Sequence, residues 1–194
     1  MSQTREDPRV TRSRRALLEA ALDELAEAGY AGFSMESVAA RAGVGRSTLY
    51  RHWNDRLRLV ADALNALNVQ PSRPPADAGH TDVPARARVE QLLTHLVHAL
   101  VDGPVAAVVP ALVHAAEQSG TVAGFWHGYS AQRRQALVDA IEAGVRTGEL
   151  RPVDPGLAAI SLSGAVFYRR LMTPEPMTAD EVPGLVDSVL GADP

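Results

Sequence analysis

A run of hydrogen-bond donors at residues 46–52 is the part of the sequence whose side chains are best suited to chemistry. It reads Arg-Ser-Thr-Leu-Tyr-Arg-His, so six of its seven side chains carry a donor and none is acidic. Guanidinium, hydroxyl and imidazole groups bind phosphate oxygens and the edges of DNA bases. The segment therefore predicts nucleic-acid recognition. A solvated basic helix face is the alternative interpretation.

Groups that could do catalysis or hold a metal are few. The sequence has no cysteine, and all 19 basic side chains are arginine, which excludes thiolate sites and reactive lysines. His95 and His98 are three residues apart, but the acids closest to them are Glu90 and Asp102, so we predict no metal site and no cofactor. No serine elbow, dinucleotide-binding or zinc-protease motif occurs. We therefore predict that the protein is not an enzyme.

The net charge of −4 seems at first to exclude a nucleic-acid partner. The charge is unevenly distributed, however. Residues 41–58 contain five arginines and one acid, whereas residues 59–194 contain nine arginines and 15 acids. A basic patch therefore coincides with the donor run, and the acidic excess lies in the C-terminal part of the chain.

The elements that would position these donors form a helix-turn-helix. Apolar residues at three- and four-residue spacing predict a first helix over residues 10–28, which Gly29 ends. Ser34 is placed to cap a second helix that continues to about Ala42. A Gly-Val-Gly turn follows, and a third short helix covers residues 46–52. Two helices joined by a glycine turn are the layout of this DNA-binding motif.

The remaining sequence also predicts helices and no strands. Sustained period-two alternation of apolar residues is absent, so the predicted fold class is all-α. Asn54 or Asp55 caps a fourth helix. A glycine- and aromatic-rich stretch over residues 119–128 is left unassigned. The further predicted helices cover about residues 56–69, 85–102, 105–118, 131–147, 157–172 and 179–190.

We predict an N-terminal three-helix DNA-binding domain and a C-terminal helical domain that binds a ligand and dimerises. The predicted boundaries are a disordered arm at 1–9, the helix-turn-helix domain at 10–55, a connecting helix at 56–70, a Pro-rich loop at 71–84 and the C-terminal domain at 85–194. The uncharged stretches are shorter than the roughly 18–20 residues that span a bilayer. We therefore expect a soluble cytoplasmic protein without a membrane partner.

The window over residues 34–59 resembles the DNA-binding segment of TetR-family transcriptional repressors. The family pattern is a Thr or Ser opening helix 2, then A-x-x-A-G-V, then T-L-Y-x-H-F, a cap and a Lys. The matching residues here are Ser34, Ala39, Ala42, Gly43, Val44, Thr48, Leu49, Tyr50, His52, Trp53, Asp55 and Arg56. The chain departs from the pattern at Gly45, where the family often has Ser, at Trp53, which replaces Phe, and at Arg56, which replaces Lys.

The resemblance implies roles for individual residues. Tyr50, His52 and Arg56 match positions where the family contacts phosphates, and Arg46 is the expected base contact, since arginine grips guanine bidentately. The predicted DNA-binding residues are Ser34, Gly45, Arg46, Ser47, Thr48, Tyr50, Arg51, His52 and Arg56. The arginines between Arg5 and Arg15 form either a minor-groove arm or a solvated tail.

The resemblance also implies that the last two helices pair with those of a second subunit as a four-helix bundle. Residues 157–172 carry apolar side chains on more than one face, so more than one face must be buried. A fully intrachain core is the alternative. The predicted dimer residues are Leu157, Ser161, Gly164, Ala165, Tyr168, Val182, Leu185, Val186 and Val189.

TetR-like repressors usually hold a ligand among their middle helices. Aromatic side chains with polar tips can orient a ligand, but a stripe of this kind is also typical of plain core. The predicted pocket residues are Leu93, Leu96, Leu100, His114, Phe125, Trp126 and Tyr129.

The function predicted from these observations is that of a dimeric, ligand-responsive transcriptional repressor. A single helix-turn-helix reads little sequence, so we expect a homodimer on a palindromic double-stranded operator, released by a small-molecule effector. One alternative is a helical ligand-binding protein or enzyme without a DNA function. A transcriptional activator of the same fold is another.

Overall fold

The described part of the chain is built from helices. A computed structural model describes residues 8–67 and 83–192, and within them it contains nine α-helices and a 3-10 turn but no β-strand. The all-α prediction is confirmed. In chain order, the helices are α1 (Pro8–Gly32), α2 (Met35–Arg41), α3 (Arg46–His52), α4 (Arg56–Leu67), α5 (Ala85–Val101), α6 (Pro104–Gln118), α7 (Gly120–Thr147), α8 (Pro155–Met172) and α9 (Val182–Leu190), with the 3-10 turn at Ala179–Glu181 before α9.

The chain divides into two compact units. Of the described residues, the first unit contains 8–67 and 107–126, and the second contains 83–106 and 127–192. The predicted disordered arm at 1–9 and Pro-rich loop at 71–84 lie largely outside the described residues. The domain boundaries drawn from the sequence stay a prediction.

The core of the first unit is formed where α1 packs on α4 and α2. Leu17, Ala21 and Leu25 recur along one face of α1, and each is fully buried. At Gly29 the helix is broken by a backbone φ of 66°, a conformation that glycine adopts without steric cost. The predicted end of the first helix therefore corresponds to a real kink.

The turn between α2 and α3 has the geometry that its sequence predicts. The Ser34 side chain accepts a hydrogen bond from the backbone N–H of Ser37 and so caps α2. Gly43 has a φ of 65°, and the N–H of Val44 donates to the carbonyl of Ala39 at 3.0 Å. The turn thus closes on the C-terminal end of α2, which fixes where α3 begins.

A cluster around Asp62 joins α1, α4 and the end of α3. Asp62 Oδ2 accepts hydrogen bonds from Arg14 Nη2 and from Trp53 Nε1, each at 3.0 Å. The Arg14 guanidinium also lies 5.6 Å from the centroid of the Trp53 ring. Trp53 is 3% exposed, so its indole N–H depends on Asp62 for a partner.

We expect Asp62→Ala to lower the free energy of unfolding by roughly 1–3 kcal/mol, since it leaves a buried N–H unsatisfied. Urea unfolding followed by circular dichroism measures this change. Asp23→Ala is the matched control, because Asp23 is exposed on α1, makes no hydrogen bond or ion pair within the described residues and acts only at longer range, on Arg41. Equal stability of the two variants would contradict the structural role of Asp62.

The second unit is centred on α5, which packs against α8 and α9. Val89, Leu93 and Leu100 are buried on α5. Arg170 extends this packing, because its Nε donates to the Leu100 carbonyl at 2.8 Å and its Nη2 to the Ala106 carbonyl at 3.1 Å. Leu100 lies in the last turn of α5, where carbonyls have no helical partner, and the Ala106 carbonyl lacks one because Pro110 in α6 has no N–H.

A close approach in the second unit requires a glycine. A Cβ atom built at Gly144 would lie 2.6 Å from the Cβ of Ala85 and 2.6 Å from Cδ1 of Leu150. The beginning of α5 therefore packs directly on the backbone of α7.

The structure extends α7 well beyond its predicted range. Residues 119–128, left unassigned from the sequence, form the beginning of α7. Ser119 starts this helix, because its carbonyl accepts from Ala123 N at 2.8 Å and its side chain from Val122 N at 3.5 Å. Gly120, Gly124 and Gly128 lower the helix propensity of this stretch. The sequence therefore did not predict a helix here, and the tertiary structure stabilises it.

No single helix among the described residues is long and apolar enough to cross a membrane. Taken together, α5 and α6 would be long and apolar enough, but the two helices are bent by 78° where α5 ends and α6 begins.

Candidate nucleic-acid interface

The donor run forms the exposed side of α3. Leu49 is fully buried and anchors the helix, while Arg46, Ser47 and Arg51 are exposed. Neither Arg46 nor Arg51 makes a hydrogen bond or an ion pair within the part of the chain that the structure describes. Thr48 is half-buried. The helix therefore presents unpaired guanidinium groups to solvent from a fixed backbone.

Gly45 is the N-cap of α3 and provides only backbone groups there. Its φ of −64° and ψ of 141° are accessible to any residue, and a Cβ would meet only Ser47 Oγ at 3.9 Å. The serine that the family often has here would therefore fit. No steric constraint therefore explains why this chain has a glycine, and so no side-chain donor, at this position.

Arg41, which contributes to the basic charge of this segment, is occupied by acids of α1. Its Nη1 and Nη2 donate to the Glu27 carboxylate at 3.0 and 2.5 Å, and its Nη2 lies 3.6 Å from Glu24 Oε2. The hydrogen bond to Glu27 raises the pKa of Arg41, and the bond from Arg41 lowers the pKa of Glu27. This arginine fixes α2 on α1 instead of facing a ligand.

The lowered pKa of Glu27 predicts a pH-dependent contribution to stability. Because its pKa is lower in the folded state, the contribution is present above the ordinary pKa of glutamate and is lost as the pH falls through the folded value. We expect Glu27→Gln to lower the thermal midpoint at neutral pH and to leave it unchanged in strong acid. A constant difference between variant and wild type across that range would contradict the assignment.

Arg56 is partly engaged inside the protein. Its Nη1 donates to the Tyr30 carbonyl at 3.1 Å, and its guanidinium lies 4.4 Å from the centroid of the Tyr30 ring. The sequence assigned Arg56 to phosphate contact only. The structure adds a second role, since this side chain holds the segment that follows the kink in α1.

Tyr50 and Ser34 both donate to an acid that the sequence analysis did not single out. The Tyr50 hydroxyl donates to Glu36 Oε1 at 3.0 Å, and Ser34 Oγ donates to Glu36 Oε2 at 3.4 Å. Tyr50 is 43% exposed. The position of Glu36 in the first turn of α2, two residues after the cap, was the signal available in the sequence.

His52 is half-buried against Trp53, with ring centroids 5.4 Å apart. Its Nε2 is buried and has no hydrogen-bond partner among the described residues. The ring can therefore offer only its other edge to a phosphate.

The predicted N-terminal arginines differ in their use. Arg12 is exposed, Arg14 belongs to the Asp62 cluster, and Arg15 lies 3.5 Å from Glu19. The side chains of Arg5 and Arg9 lie outside the described residues. Arg14 therefore stabilises the packing of α1 on α4. The minor-groove arm drawn from the sequence stays a prediction.

The residues predicted to form a ligand pocket are divided between the two units. Leu93 and Leu100 are fully buried, Leu96 and Tyr129 are half-buried, and all four belong to the second unit. In the first unit Trp126 is buried and Phe125 half-buried, whereas His114 is exposed. The pocket drawn from the sequence stays a prediction.

A cleft of about 200 Å³ lies in the second unit. It contains none of the predicted pocket residues. Its lining residues are Val101, Arg170, Thr173, Pro174 and Pro176.

The outer face of α8 is apolar and exposed. Leu157 is 65% exposed and Tyr168 61%, and Ser161 and Gly164 on the same helix are also exposed. Ala165 is half-buried, as are Leu185 and Val189 of α9.

Two residues predicted for the dimer face belong to the chain's own core. Val182 and Val186 are fully buried, because α9 packs this side against α5 and α8. This corrects the sequence interpretation, in which one apolar stripe of the last helix faced a partner.

No group of three or more potential metal ligands occurs among the described residues. His98 Nδ1 lies 3.6 Å from Asp102 at an exposed helix end, and His95 is exposed one turn earlier. The two histidines therefore lack the third ligand that a metal site requires.

Two family models match this chain. The model described as bacterial regulatory proteins of the tetR family matches residues 17–63, and the model described as the tetracyclin repressor-like C-terminal domain matches residues 84–189. The uncharacterized HTH-type transcriptional regulator YdeS of Bacillus subtilis (strain 168) is 27% identical over 191 residues, which cover 96% of this chain and 92% of YdeS.

Solved structures share the fold over nearly the whole chain. The TetR family transcription regulator SCO0332 is 29% identical with a TM-score of 0.65, covering 94% of this chain and 99% of that one. AibR, solved in complex with isovaleryl coenzyme A and operator DNA, is 21% identical with a TM-score of 0.60, covering 92% and 98%. At 21% identity the second likeness shows the fold alone.

Proposed function

This chain belongs to the TetR family of bacterial DNA-binding regulators, and from that premise we propose that it is a homodimeric repressor which a small molecule releases from a two-fold operator. The first unit would bind DNA through α3. The second would hold two copies together. These assignments go beyond membership of the family and rest on particular residues.

The observation that carries the proposal is the pair of unpaired guanidinium groups on the exposed side of α3. Arg46 and Arg51 form no hydrogen bond or ion pair among the described residues, although the charge of Arg46 acts on Glu36 at longer range, whereas Arg41 and Arg14 are bound to carboxylates. A cation left free on a rigid helix can bind phosphate or guanine without first losing an internal bond. We assign Arg46, at the helix N-terminus, to a base contact. Arg51, Tyr50 and His52 are assigned to the backbone.

The exposed face of α8 supports the proposed homodimer. Large apolar side chains such as Leu157 and Tyr168 are more than half exposed there. A contiguous exposed apolar surface of this kind is typical of an interface with another protein. A second copy is the occupant that the two-fold symmetry of an operator requires, because two reading heads must be held at a fixed spacing.

The proposed effector is a small molecule held by the C-terminal domain. AibR has been crystallised with both an acyl coenzyme A and operator DNA, so this fold accommodates both kinds of partner. The aromatic side chains proposed to contact the effector are Phe125, Trp126 and Tyr129, which all belong to α7.

The test is a genomic selection with purified full-length protein at moderate salt. We expect enrichment of a two-fold symmetric sequence whose half-sites lie one helical turn apart, roughly 10 base pairs. Recovery of fragments without a common sequence would overturn the proposal. Reporter expression in a deletion strain then separates repression, which predicts a rise in transcription, from activation, which predicts a fall.

A further inference from the structure

Glu36 lies between two hydroxyl groups that we expect to meet the DNA backbone. Tyr50 donates to its Oε1 at 3.0 Å and Ser34 donates to its Oε2 at 3.4 Å. Glu36 is half-buried at the beginning of α2, and Tyr50 is on the exposed side of α3. A single carboxylate therefore connects the two elements that approach the phosphates.

This carboxylate is ionised at neutral pH. Two hydrogen bonds lower the pKa of Glu36 below its ordinary value. The larger effect comes from its own backbone N–H, and the next from the Tyr50 hydroxyl. The same bond to Glu36 raises the pKa of Tyr50. The proton therefore stays on the tyrosine oxygen, and the negative charge stays on Glu36.

Glu36 also differs from its acidic neighbours in having no cation bound to it. Glu24 and Glu27 are paired with Arg41, and Asp62 is paired with Arg14. Within the described residues Glu36 makes no ion pair, although the charge of Arg46 contributes to its lowered pKa. Its negative charge is therefore held by hydrogen-bond donors and, at longer range, by the charge of Arg46, and not by a contact ion pair.

A tyrosine hydroxyl has one proton and donates one hydrogen bond at a time. While Tyr50 donates to Glu36 it cannot donate to a phosphate. When a phosphate takes that bond, Glu36 loses its partner and stands close to a second negative charge, which repels it. Both effects oppose binding, and both arise from the same side chain.

We propose that Glu36 limits the affinity of this protein for DNA by retaining the hydroxyl donors of Tyr50 and Ser34 and by repelling the phosphate that competes for them. The inference rests on the proposed function and adds to it a residue that sets how tightly the backbone is held. The effect assigned to Glu36 acts through phosphate contacts, so we expect it to change affinity for all sequences.

The test uses a duplex of arbitrary sequence, since phosphate contacts do not depend on the operator. Glu36→Gln removes the charge and replaces the carboxylate by a neutral amide oxygen, which is a weaker acceptor and so holds the Tyr50 hydroxyl less strongly. We expect it to bind about ten-fold more tightly than wild type at about 50 mM salt, and the gain to shrink at about 200 mM salt, because salt screens the repulsion. Fluorescence anisotropy measures both affinities.

A matched control and a second background separate the two effects. Glu142→Gln makes the same change of charge at an exposed position of α7 and is expected to leave the affinity unchanged. In a Tyr50→Phe background the gain from Glu36→Gln should be smaller, because no hydroxyl is left to release. An equal gain in both backgrounds would overturn the role of the tyrosine proton.

The outcomes also distinguish this inference from the proposed function. If wild type binds the duplex and Glu36→Gln binds equally or more weakly, Glu36 positions Tyr50 and the inference is overturned alone. If wild type does not bind at low salt, the proposed function fails and the inference fails with it. Glu36→Ala serves as a second variant, with the same expected direction, should the glutamine variant not fold.

Discussion

Replacing Arg46 by alanine is expected to weaken binding to the selected operator by about 5- to 150-fold, which corresponds to the roughly 1–3 kcal/mol of a bidentate contact to guanine. Arg46 is exposed at the first residue of α3 and forms no internal bond within the described residues. The substitution therefore removes a DNA contact without disturbing a contact of the fold. Affinity for unrelated DNA should change much less, so the ratio of specific to non-specific binding falls.

The matched control is Arg51→Ala, which removes the same charge from the same helix. We expect it to weaken binding to all sequences by a similar factor, and to reduce the slope of log affinity against log salt by about one. The two variants are compared on the operator and on a scrambled duplex. Equal loss of specificity in both variants would contradict the assignment of Arg46 to a base.

The second large effect is expected from Gly164→Arg on α8. Gly164 is exposed, and a Cβ built there meets no atom within 4 Å. The monomer therefore accommodates the new side chain, and arginine is a better helix former than glycine, by less than the roughly 0.8–1 kcal/mol that separates glycine from alanine. A buried, unpaired guanidinium in a dimer interface is by contrast strongly unfavourable.

We therefore expect this variant to be a folded monomer whose operator affinity is at least about 100-fold weaker, because the two half-sites are no longer bound together. Light scattering after size exclusion measures the mass, and anisotropy measures the affinity. Gly124→Arg is the control, since it makes the same change at an exposed, open position of α7 and should remain dimeric. If the Gly164→Arg variant is still a dimer, α8 does not form the dimer interface.

Local signals made the DNA-binding half predictable. The Ser34 cap, the positive φ of Gly43 and the bounds of α3 at Arg46–His52 agree with the sequence interpretation. Each depends on the conformational preferences of a few consecutive residues. The beginning of α7 was not predicted, because its glycines weaken the local signal and its packing outweighs them.

Charge counting described the site less well. The count for residues 41–58 includes five arginines as if all were available to DNA. In the structure, however, Arg41 is bound to two glutamates of α1 and Arg56 to the carbonyl of Tyr30. These partners are 14 to 26 residues away in the sequence. No spacing rule within a helix connects them, so the free and the occupied arginines could not be separated in advance.

The class of the fold, the helix-turn-helix and the family followed from the order of residues, because periodicity, capping residues and turn glycines are local features. The folded chain was needed to show which donors are free, that Glu36 lies between Ser34 and Tyr50, and that Val182 and Val186 are buried in the chain's own core. These properties depend on which helix faces meet. Contacts between distant segments set that, and the residue types alone leave it open.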